Sequence, residues 1–92
     1  MKVRKMVIDV LKPHEPSILI YSKEISALNS VDGVTIHVSE VDDKTESVEA
    51  TLLGKSIDFD SVREVIEKLG GSVHSIDLVS AGSQIVEPAG YD

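Results

Sequence analysis

With 92 residues, sixteen acids against nine bases and a formal charge of −7, the chain reads as one small acidic domain. A phosphate backbone repels it, and the absence of cysteine removes disulfides, thiolate nucleophiles and thiolate zinc sites. Aromatic residues are only 3 %, so a core must come from Val, Ile and Leu, and nothing interleaves with the early bases Lys2, Arg4, Lys5 and Lys12 to stack on nucleic acid.

No stretch approaches the roughly 18 apolar residues that span a membrane. Asp9 and Lys12 interrupt the N-terminal segment before a signal-peptide core forms. The expectation is a soluble cytoplasmic protein with no membrane or nucleic-acid partner, folded as a single domain over residues 1–92.

The first expected strand covers residues 3–11. Met6, Ile8 and Val10 share one face by period two, and Val7, Asp9 and Leu11 share the other. Pro13 and Pro16 stop it, and Pro16 suits the first turn of a helix that runs to about Asn29. Ile18, Tyr21, Ile25 and Leu28 form its apolar stripe, widened by Leu19 and Ile20. Asp32 and Gly33 make the exit turn.

Residues 34–41 alternate as a second strand, with Val34, Ile36 and Val38 opposite Thr35, His37 and Ser39. The polar stretch DDKTES turns the chain into a third strand, residues 48–53, with Val48, Ala50 and Leu52 on its apolar face. Asp58 is placed to cap a second helix, Ile57 and Val62 to staple it, and Gly70 and Gly71 to end it. Val62, Val65, Ile66 and Leu69 form its stripe. A fourth strand covers residues 73–80.

The order βαββαβ, with right-handed crossovers, predicts an α+β ferredoxin-like plait: a four-stranded antiparallel sheet of order 4-1-3-2 with both helices on one face. In the fourth strand, alternation assigns Ile76 and Leu78 to the helix side, and Val73, Ser75, Asp77 and Val79 to the open side. His74 falls with Ile76, near the helix-side rim. His74, Ser75 and Asp77 resemble a triad in composition only, since neighbours on an extended strand point to opposite faces. The open face is expected to carry Asp9, His37, Glu49 and Asp77 among Val7, Leu11, Thr51 and Val79, with Asp9 between Glu49 and Ser75.

The hairpin acids Glu40, Asp42, Asp43 and Glu46 supply closely spaced oxygens of the kind hard cations take. They lack the glycine and the spacing of an EF-hand. The loop LKPHEPS places Lys12, His14 and Glu15 at the head of the first helix.

DVLKPHEPS, the hairpin acids of EVD and TE, and GGSVHSIDLVSAG together resemble the archaeal family known as domain of unknown function 211. The matching positions are Asp9, Lys12, Pro13, His14 and Pro16, then Glu40, Asp42 and Glu46, then His74, Ser75, Asp77 and Gly82. The resemblance implies the plait, an archaeal cytoplasmic origin and assembly into a closed ring, with no established activity.

Two free sheet edges also favour self-association into an oligomer larger than a dimer. The functional expectation is a ring-forming scaffold, not an enzyme, that binds a small polar ligand or a divalent cation between subunits. Glu40, Asp42, Glu46 and Asp77 are the candidate metal ligands, and oxygen donors point to calcium or magnesium. The alternative is a sensor domain that holds a metabolite between subunits.

Overall fold

A computed structural model describes residues 1–89. Its elements are β1 (Val3–Pro13), α1 (Ile18–Ser26), β2 (Gly33–Val41), β3 (Thr45–Leu53), α2 (Phe59–Lys68) and β4 (Ser72–Ala81). They form an antiparallel sheet of order β2-β3-β1-β4, the βαββαβ ferredoxin-like plait that the pattern predicts.

The core lies between the sheet and the two helices. Met6, Ile8 and Val10 from β1 meet Val48, Ala50 and Leu52 from β3, under Tyr21 and Ile25 of α1 and Val62 and Ile66 of α2. Aliphatic burial of this kind contributes about 1.5–3 kcal/mol for each large side chain. The Tyr21 hydroxyl donates to the Leu69 carbonyl at 2.9 Å, which ties α1 to the end of α2.

The second helix follows its sequence signals. Asp58 takes the N-cap position in an extended conformation, but its carboxylate caps no backbone amide and accepts from Ser61 Oγ at 2.8 Å instead. Ile57 and Val62 are both buried. Gly70 takes φ +92°, a left-handed conformation that glycine adopts without a Cβ clash.

The first helix is shorter than its periodicity suggests. Ser17 is the N-cap, and its carbonyl accepts from the amides of Ile20 and Tyr21, so Pro16 lies outside the helix. Leu19 and Ile20 do not widen the stripe: they are 71 % and 39 % exposed, because only the Tyr21–Ile25 side of the helix meets the sheet. The β2–β3 turn is also tighter than expected. The Asp42 amide donates to the Thr45 carbonyl at 2.8 Å, so Thr45, Glu46 and Ser47 already belong to β3.

The largest departure is in β4. Its pairing with β1 slips three times: between Val3 and Lys5, which leaves Arg4 of β1 as an extra residue, then between Val7 and Ile8 and between Asp9 and Val10, which leave Asp77 and His74 of β4 as extra residues. The slips put Val73 opposite Val10, Ile76 opposite Ile8 and Val79 opposite Met6, all on the helix side. Leu78 pairs with Val7 on the open side. Strict alternation therefore misplaces Val73, Leu78 and Val79, while Ser75 and Ile76 keep their expected faces. His74 sits in a bulge and is exposed, not held at a buried rim.

Candidate functional site

Two polar arrangements stand out, one on each side of the sheet. The first grows from β1. Lys12 continues the face of Met6, Ile8 and Val10, so its side chain enters the molecule and is fully buried. Its partner Glu46 is opposite it on β3, on the face of Val48.

Lys12 Nζ donates to Glu46 Oε1 at 2.9 Å, to the Pro13 carbonyl at 2.8 Å and to the His14 carbonyl at 3.4 Å. It also lies 5.2 Å from the centre of the Tyr21 ring, within cation–π range. All three ammonium hydrogens have acceptors, which is what a buried lysine requires.

His14 extends this network to the surface. Its Nδ1 is 3.2 Å from Glu46 Oε2, and its Nε2 is 3.0 Å from the Asp43 carbonyl. Both ring nitrogens face acceptors, so the imidazolium satisfies both contacts and a neutral tautomer only one. The Asp43 carbonyl, followed by the Glu46 carboxylate, raises the His14 pKa above the ordinary histidine value. Lys12 and then His14 hold the Glu46 carboxyl below the usual range. The β1–α1 loop is thereby fastened to the tip of the β2–β3 hairpin.

The second arrangement lies on the open face. Asp9 is opposite Glu49 on one side and Ser75 on the other, the register that alternation predicts. Glu49 Oε1 is 3.9 Å from His37 Nδ1, and Ser75 Oγ donates to Asp77 Oδ1 at 2.8 Å. Bulged His74 takes no part in that bond. Beside these groups a cavity of about 280 Å³ opens over Val7 and Leu78, with Lys5, Glu49 and Asp77 on its wall and residues 86–88 across it.

The candidate metal ligands do not gather within one chain. Glu46 is engaged by Lys12 and His14. A slip at Ser39 turns Glu40 to the open face opposite Ser47, while Glu46 faces the helix side. Asp42 is exposed at the turn, and Asp77 lies on the far edge strand. Among the described residues, no three His, Asp or Glu side chains are placed to hold one ion.

The Lys12–Glu46 pair escaped the sequence reading, although a signal was present. Lys12 is one more even step along β1, and Glu46 precedes Val48 by two.

The chain matches the family described as "Uncharacterized ArCR", domain of unknown function 211, over residues 4–91. It is 48 % identical over 85 residues to an uncharacterized protein of Methanocaldococcus jannaschii, covering 92 % of this chain and 88 % of that one. The chain belongs to this archaeal family of uncharacterised proteins. Among the described residues no helix is long and apolar enough to cross a membrane.

Proposed function

We propose that the chain is a cytoplasmic scaffold subunit that assembles head to tail into a closed ring larger than a dimer, with a polar site at each junction. The observation that carries this reading is a match between the two sheet edges. Neither β2 nor β4 has a second strand partner among the described residues. Both carry exposed aliphatic side chains on the helix side: Val38 and Val41 on β2, Ile76 and Val79 on β4. Such edges aggregate unless covered.

The pairings within the sheet make β2 antiparallel to β4, so a rotation about an axis along the strands lays β4 of one copy against β2 of the next in antiparallel sense. Counting rungs from β1, Val79 lies level with Met6 and Ile76 with Ile8. Through β3, Val38 lies level with Val10 and Val41 with Lys12. A stagger of about four rungs, roughly 13 Å, therefore sets Val79 against Val38 and Ile76 against Val41. Closed sheets require a stagger of this kind.

The same stagger brings Leu78 level with Glu40, and bulged Asp77 beside Glu40 and Asp42 of the neighbour. Three carboxylates from two chains then converge where one chain supplies two. This supports calcium or magnesium as the ligand of the junction, with Glu46 reserved for Lys12. The test is disulfide trapping in a chain that has no cysteine of its own. Val38→Cys with Val79→Cys should give a ladder of covalent oligomers. Val38→Cys with Val73→Cys, which pair only without stagger, should not.

A second reading, a metabolite sensor, is favoured by one observation: the cavity of the open face, which lies within one subunit rather than between subunits and is lined in part by the chain's own residues 86–88.

A further inference from the structure

We propose that the open-face cavity binds a short aliphatic molecule bearing an ammonium group at one end and a carboxylate at the other. The inference rests on the sensor reading and names its ligand class.

The cavity is polarised along the strands. Lys5 lies four rungs from Asp9 on β1, and Glu49 is level with Asp9 on β3, so Lys5 and Glu49 mark opposite ends about 13 Å apart at the backbone. Asp77, level with the gap between Ile8 and Val7, falls between them and adds to the acidic end. Val7 and Leu78 pair with each other and form an apolar middle. Val86, Glu87 and Pro88 line one side; Val86 is 76 % exposed and gains cover from an aliphatic ligand, and Glu87 brings a third carboxylate to the wall.

The charges decide the ligand. Lys5 is half-buried as a residue and enters no salt bridge among the described residues, so its ammonium is available to a ligand carboxylate. Asp77 receives Ser75 on Oδ1 and keeps Oδ2 for an ammonium donor. A dication suits the acidic end and meets repulsion at Lys5. A dianion suits Lys5 and is repelled by Glu49, Asp77 and Glu87. An amphoteric chain satisfies both ends and lays its methylenes on Val7 and Leu78. Its volume of about 280 Å³ is at the small end for ligand cavities, which restricts the occupant to metabolite size.

Three probes of equal chain length separate the classes: 5-aminopentanoate, cadaverine and glutarate. Thermal unfolding of the full chain should rise by about 5 °C with millimolar 5-aminopentanoate and remain unchanged with the other two. Lys5→Met should abolish the rise while the variant keeps its circular dichroism spectrum and mass. Asp77→Asn should weaken it at least fivefold by calorimetric affinity. A rise with cadaverine or glutarate alone overturns the amphoteric class and leaves sensing at this cavity intact. Silence from all three, or a rise that survives both substitutions, overturns the assignment of the cavity as the binding site.

Discussion

Lys12 Nζ lies 2.9 Å from Glu46 Oε1, and the lysine side chain is wholly shielded from water. A buried ammonium is costly unless its hydrogens are taken up, and here the carboxylate and two carbonyls do so. Lys12→Met keeps the stem and removes the charge. It leaves Glu46 with His14 alone and the Pro13 and His14 carbonyls short of a donor. We expect a loss of about 3 kcal/mol, read as a fall in melting temperature of more than 10 °C. A fall of less than 3 °C would mean that the pair contributes little.

The His14–Glu46 contact makes stability depend on pH from both sides. The folded pKa of His14 is raised, so its contribution is complete below about pH 6.5 and is lost as pH climbs through the raised value. The folded pKa of Glu46 is lowered, so its contribution is complete above about pH 4.5 and is lost as pH falls through the lowered value. Both are present between about pH 4.5 and 6.5. Melting temperatures across pH 3–9 should therefore show this contribution greatest in that window. His14→Gln should remove the decline on the alkaline side. A His14→Gln profile that matches the natural protein contradicts the assignment.

Much of the fold was legible because alternation held wherever strands pair without slips. It set the faces of β1 and β3, and it set Asp9 between Glu49 and Ser75. It failed in β4, where two bulges insert residues that no composition signal marks. The site was less legible. Lys12 and Glu46 are residue types that belong at the surface by default, yet their positions belong to the core face. The hairpin acids look alike in sequence, but the slip at Ser39 sends Glu40 and Glu46 to opposite sides.

The junction account makes cation binding a property of the assembly. Calcium titrated into the assembled protein should release or absorb heat, and Asp42→Asn should reduce its affinity at least tenfold. Ile76→Lys places a charge on the apolar edge contact and should leave single chains with an intact plait and no calcium heat. Equal binding by the assembled protein and by the Ile76→Lys chain would assign the cation to a single subunit.

Head-to-tail closure sets the mass of the particle in solution, which sedimentation equilibrium at micromolar concentration reads. One species of mass greater than two 9.9 kDa chains is expected, converted to single chains by Ile76→Lys. A natural protein that sediments as a 9.9 kDa monomer or as a simple dimer contradicts it.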